Sequence, residues 1–132
     1  MKITADTNVL VRAITGDNAR QSKVAEAELA SADVVALGLP ALCELVWVLS
    51  QGYKIPSAEI AEAIRRLMNS GNVVANQPAV EAGLALMDAG GDFADGIIAY
   101  EGRWLGAEIF VSFDKKAVKL MEARGESARL LS

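Results

Sequence analysis

Hydrophobic positions along the chain fall into two patterns: short β-branched runs, and longer stretches that repeat with the period of an α-helix. Ile3 to Ala5, Val34 to Leu37, Val73 to Ala75, Ile109 to Ser112 and Ala128 to Leu131 predict strands, the last at a sheet edge. Helices are predicted over Val9 to Ile14, Asn18 to Ser31, from about Pro40, over Ser57 to Asn69, from Pro78 to Gly90-Gly91, over Asp92 to Gly106, and over Asp114 to Arg124. The clearest is Ser57 to Asn69, where Ile60, Ile64, Leu67 and Met68 form one stripe and Gly71 follows as a stop. The helix from Asp92 is expected to bury Phe93, Ile97, Ile98 and Leu105. This alternation predicts an α/β layered fold with a mainly parallel sheet. No repeat and no linker longer than a turn interrupts it, so residues 1–132 read as one domain.

One stretch breaks the apolar pattern. "LGLPALCELVWVLSQGY", residues 37–53, carries a single charged residue, Glu44. Its helix is apolar almost all round, which predicts a carboxylate with no solvated face. Such a group needs an internal cation, a metal ion or a proton, because desolvating an unpartnered carboxylate is costly. Other acids of the chain then become candidate neighbours around a shared cation.

Composition narrows the chemistry. The 132 residues include no histidine and one cysteine, Cys43, which rules out histidine-based triads, histidine ligands and a Cys/His zinc site. One cysteine also makes no disulfide framework, as expected in a reducing compartment, and Asp6 interrupts any apolar signal segment. The run from Val34 to Leu49 contains Pro40 and Glu44 and is too short to span a bilayer, so a soluble, cytoplasmic protein is expected. Seventeen acidic residues against thirteen basic give a net charge of −4 and no global attraction for nucleic acid. Carboxylates are the main chemical resource, and they favour a hard cation such as Mg²⁺ or Mn²⁺.

Three more acids stand out. Asp6 and Asp114 each end a predicted strand, where they suit a helix N-cap and also the carboxyl edge of a parallel sheet at which α/β folds bind ligands. Asp95 lies in "GGDFADGIIAY"; Asp92 accounts for the cap there, and Asp95 is only partly explained as a first-turn acid favoured by the helix dipole. Four carboxylates drawn together would repel one another, and a divalent ion reverses that repulsion.

At these residues the chain resembles a known family. "ADTNVLVR", "LPALCELVWVL", "DFADGIIAYEGRWLG" and "VSFDKKAVKL", in this order, are similar to the PIN-domain nucleases, specifically the VapC-like toxins of type II toxin–antitoxin systems. The resemblance spans nearly the whole chain, with residues 54–90 matching only in pattern. It implies a three-layer α/β/α sandwich with a mainly parallel five-stranded sheet, Mg²⁺- or Mn²⁺-dependent hydrolysis of RNA phosphodiester bonds, neutralisation by a small antitoxin protein, and a homodimer. Carried over by position, the acidic quartet is Asp6, Glu44, Asp95 and Asp114, with Asp6 and Asp95 the most direct ligands, and Thr7, Asn8 and Ser112 supporting the site by hydrogen bonds. Arg12, Lys115 and Lys116 are the basic side chains nearest these motifs that could hold an RNA backbone. Two departures affect the helix after Asp92: Gly96 stands where alanine is usual, and Tyr100, Glu101 and Gly102 replace an alanine-rich stretch.

Two rival readings share the fold. A housekeeping RNA-processing nuclease would use identical chemistry, and a non-catalytic PIN-like module would bind RNA or a partner without cutting. Loss of a quartet acid would favour the second, and all four are present. A phosphoacceptor receiver domain is disfavoured, because Asp6-Thr7-Asn8 lacks the adjacent acids that fold requires after its first strand.

Overall fold

A computed structural model describes all residues, 1–132. The chain divides into two compact units, Met1–Asn76 and Gln77–Ser132.

In the first unit the order is β1 (Lys2–Thr4), α1 (Thr7–Thr15), α2 (Ala19–Ser31), β2 (Val34–Ala36), α3 (Leu39–Trp47), α4 (Ser57–Met68) and β3 (Val73–Val74). The strands form a parallel sheet in the order β1-β2-β3, with Ile3 opposite Val35 and Val35 opposite Val73. Parallel strands need a crossover, and the helices between them supply it. The pattern of apolar positions explains which faces are covered: Leu10 and Val11 of α1, Leu42 and Leu45 of α3, and Ile60 and Ile64 of α4 are buried with Val35 of the central strand. After α3 the chain widens into one π-helical turn, Val48–Gly52, closed by the Tyr53 N–H donating to the Val48 carbonyl at 3.2 Å.

The second unit runs α5 (Gln77–Asp88), α6 (Phe93–Trp104), β4 (Phe110–Ser112), α7 (Lys115–Ala123) and β5 (Ala128–Leu130). Strands β4 and β5 pair in parallel, Val111 facing Arg129. Leu86, Ala99 and Met121 bring α5, α6 and α7 into one core, on which Phe110 and Leu120 also pack. The α/β class and the parallel pairing are as expected. The strands, however, are hydrogen-bonded as a sheet of three and a sheet of two, not as one sheet of five.

Two apolar expectations on α6 are corrected. Phe93 and Ile97 are buried, but Ile98 is 55% exposed and Leu105 is 85% exposed. Adjacent positions on a helix point about 100° apart, so a face that buries Ile97 turns Ile98 away. Leu105 lies beyond the last turn of α6 and escapes its stripe altogether.

Gly96, which departs from the usual alanine, has a physical reason. A Cβ on Gly96 would lie 2.6 Å from the Ala82 carbonyl oxygen and 2.8 Å from Gly83 Cα. Across the same crossing, a Cβ on Gly83 would lie 2.9 Å from the Phe93 ring and the Phe93 carbonyl oxygen. The two backbones approach so closely that neither position has room for a methyl group. Restoring alanine improves helix propensity but overpacks the crossing, and overpacking typically costs about 1–3 kcal/mol. Gly96→Ala is therefore expected to lower stability despite its better propensity. Urea melts of both proteins check this, and a midpoint at or above wild type would show that α5 and α6 separate without cost.

Candidate functional site

Asp6 follows β1 by two residues and is the N-cap of α1, its Oδ1 accepting from the Thr7 N–H at 2.7 Å. The residue thus does what an N-cap aspartate does, satisfying one of the unpaired donors at a helix start. Thr7 is buried, and its hydroxyl donates to the Ala41 carbonyl of α3 at 3.4 Å. That bond ties the start of α1 to the first turn of α3, the helix that carries Glu44. Asp6 and Glu44 border the same concavity of about 310 Å³, together with Thr7, Asn8, Arg12 and Tyr53. A larger groove of about 920 Å³ lies along β1, α1 and α2, but its lining is mainly apolar and includes no quartet acid, so the smaller concavity is the better candidate on chemical grounds.

Glu44 itself corrects an expectation. It is exposed, on a stripe of α3 with Pro40 and Trp47, and Trp47 is 66% exposed. The apolar residues around Glu44 do not all face a core, so the desolvation cost inferred from their composition does not arise. Its place in the concavity beside Asp6, not burial, is what marks it.

Arg12, at the rim of that concavity, is already committed. Its Nε donates to Gln21 Oε1 at 2.6 Å, and one terminal nitrogen donates to Asp17 at 3.0 Å and to the Tyr53 hydroxyl at 3.3 Å. The Tyr53 hydroxyl in turn donates to Asp17 Oδ2 at 2.5 Å. Hydrogen bonds from Tyr53 and Thr15, with the Arg12 charge, hold the Asp17 carboxyl below its ordinary range. This cluster fastens the π-helical turn back onto α1. Composition gave no hint of it, because Tyr53 lies tens of residues from Arg12 and Asp17 and the three look like unrelated surface groups.

In the second unit, Asp92 caps α6, its Oδ2 accepting from the Asp95 N–H at 3.3 Å. Asp95 is half-buried in the first turn. Burial first, and then the negative charges of Asp92 and Asp114, push its pKa above the usual aspartate value. Asp114 caps α7 through Oδ1, which accepts from the Ala117 N–H at 3.1 Å. Ser112 Oγ accepts from the Asp114 N–H at 2.9 Å and so holds the turn between β4 and α7.

A PIN domain profile matches residues 3–122, nearly the whole chain. The chain belongs to the PIN domain family. No curated protein matches it significantly in sequence. PIN domains are generally nucleases that act on nucleic acid and typically use divalent metals, which gives this chain a nuclease-type function at that level. Each unit of this PIN domain chain holds two of the four acids, and within neither unit do three acidic, cysteine or histidine side chains assemble into a metal cage. The donors that are present, carboxylate oxygens with hydroxyl and amide groups beside them, suit a hard cation and would not select a soft one. No helix is long and apolar enough to cross a membrane.

The raised pKa of Asp95 has a consequence for stability. A carboxyl whose folded pKa is raised disfavours the folded state above that pKa, and the penalty fades as pH falls through it towards the ordinary value of 3.8. In chelator, Asp95→Asn is expected to melt at a higher temperature than wild type at neutral pH and to lose that advantage below about pH 3.8. Thermal melts across pH measure it. An Asp95→Asn protein that is less stable at neutral pH would mean that the carboxylate accepts hydrogen bonds an amide cannot replace.

Proposed function

We propose that the chain is a Mg²⁺- or Mn²⁺-dependent endoribonuclease, the toxin of a VapC-like toxin–antitoxin pair, acting in the cytoplasm as a single PIN-like domain over residues 1–132. The observation that carries this reading is that each unit pairs two members of the quartet. Asp6 and Glu44 share one concavity, and the Asp114 charge is felt at Asp95. Asp6 and Asp95 would be the direct metal ligands, with Glu44 and Asp114 completing the set and orienting the attacking water.

A cation bound there would supply the Lewis acidity that makes phosphodiester hydrolysis practicable at neutral pH. The protein's own part is orientation. The Asp6 cap uses one carboxylate oxygen and the Asp114 cap likewise uses one, which fixes both side chains without consuming them. Thr7 holds the start of α1 against α3, and Ser112 holds the turn that presents Asp114. Asn8 lines the concavity beside Asp6 and Glu44, where its amide can hydrogen-bond to a ligand or to water. A small antitoxin would silence such a site by presenting arginine to the carboxylates, replacing the cation's charge with charge-assisted hydrogen bonds. A homodimer is part of the same reading.

The test is cleavage of pooled cellular RNA with Mg²⁺ or Mn²⁺, comparing wild type with Asp6→Asn. Asparagine is as good an N-cap as aspartate, so the fold should survive while the charge is lost. The rate is expected to fall by on the order of 100-fold or more, at or beyond the upper end of the loss from removing a group that only orients a metal ligand. Undiminished cleavage would place hydrolysis elsewhere. Binding of RNA without cleavage by wild type would favour a non-catalytic module. Expression of the active chain should slow growth and the neighbouring gene should relieve it; harmless expression of an active enzyme would favour a housekeeping role.

A further inference from the structure

Between its capping residues Asp114 and Arg124, helix α7 places its lysines against the dipole. Cations are disfavoured at a helix N-terminus and favoured at the C-terminus. Yet α7 has Lys115 and Lys116 in its first turn, Lys119 one turn on, no acidic residue in the first turn and no basic residue in the last. Lys119 lies four positions from Lys115 and three from Lys116, so the three ammonium groups share one face and repel one another. All three are exposed, and none takes part in an ion pair, although the chain has more acids than bases and pairs Arg12, Arg66 and Arg103 with carboxylates. They and Leu120 are the whole lining of a shallow concavity of about 520 Å³. An arrangement that opposes the dipole, repels itself and goes unneutralised contributes nothing to stability. It makes physical sense if an external polyanion completes it.

We propose that Lys115, Lys116 and Lys119 form a phosphate-binding face that holds the RNA backbone beside Asp114. The lysines begin at the residue after Asp114, whose backbone and carboxylate are fixed by Ser112 and Ala117. A strand gripped there has its phosphates next to one of the quartet acids. Lysine suits this role because it is a flexible point charge that holds backbone without reading bases. Arg12, the other basic candidate, has its guanidinium engaged by Asp17, Gln21 and Tyr53. Net charge does not prevent such a grip, because screening confines attraction to charges within about 10 Å at ordinary salt. The identity of the polyanion as RNA rests on the nuclease reading above; the cationic face does not.

The experiment measures binding and cutting separately. A short fluorescent single-stranded RNA is titrated in chelator, over a series of salt concentrations, with three proteins. These are wild type, Lys115→Gln/Lys116→Gln/Lys119→Gln, and a control with the same charge change elsewhere, Lys2→Gln/Lys23→Gln/Arg129→Gln. Each phosphate contact contributes about 0.7 to the slope of log affinity against log salt for a single strand, so removing three should lower the slope by about 2. The control should keep the wild-type slope, and Lys119→Gln alone should lose about 0.7. The α7 triple variant should melt at or above the wild-type temperature, because the removed charges opposed the dipole. An unchanged slope, or an equal loss in the control, overturns the proposal. RNA cleavage by wild type with Mg²⁺ or Mn²⁺ is assayed in parallel. Cleavage together with an unchanged slope sinks the lysine face alone. A lost slope without cleavage by wild type sinks the nuclease reading alone, and absence of both binding and cleavage sinks both.

Discussion

The backbone N–H groups at the start of a helix have no partner within it, and this chain meets that demand with aspartate at the helices closest to its candidate chemistry. Asp6 caps α1, Asp92 caps α6 and Asp114 caps α7. A capping carboxylate is held by the helix it starts and favoured by that helix's dipole, so the negative charge is positioned before any ligand arrives. Because a cap needs one oxygen, the other remains for a cation or a water. The structural and functional readings of Asp6 and Asp114 are therefore not alternatives.

Around these caps, the two units achieve rigidity by unlike means. In the first unit, the Thr7 hydroxyl links α1 to α3, and the Arg12–Asp17–Tyr53 cluster anchors the π-helical turn. In the second, the close passage of α6 over Gly83 sets where Asp95 emerges. That passage explains why glycine at 96 is tolerable although it weakens helix propensity: the missing methyl is the space that the neighbouring backbone occupies. Asp95 is half-buried at the start of the same helix and bears the electrostatic cost of two acids nearby. A stabilising crossing thus supports a locally unfavourable charge, a division expected where a site is built for a ligand that neutralises it.

Charge placement separates groups that serve the fold from groups that do not. Arg12, Arg66 and Arg103 each find a carboxylate, and Met1 finds Asp33 through its amino group. The lysines of α7 find none. Pairs of this kind on a surface contribute little stability. They do show which cations are already neutralised.

The order of strands and helices, the helix stops and the three capping aspartates were legible in the sequence, because they depend on local periodicity and on the backbone demands of single turns. Helix bounds expected from the sequence agree with the structure to about two residues, except that the sequence sets no end for the helix from Pro40, which runs on into the π-helical turn. Asp6, Asp95 and Asp114 stand out by the same local rules, at a strand end or a helix start, whereas Glu44, in mid-helix, stands out only through its apolar neighbours and through the resemblance. Burial was not legible. The apolar surroundings of Glu44 suggested a buried carboxylate, and Ile98 and Leu105 read as core, yet all three are exposed. Which side of a helix is covered depends on what packs against it, and that is a property of the assembled chain. The split of the strands into three and two, the glycine crossing of α5 and α6 and the Arg12 cluster likewise join residues through space. Local sequence determined which elements form and where their carboxylates stand; only tertiary packing decided which faces they cover and which charges are left unpaired.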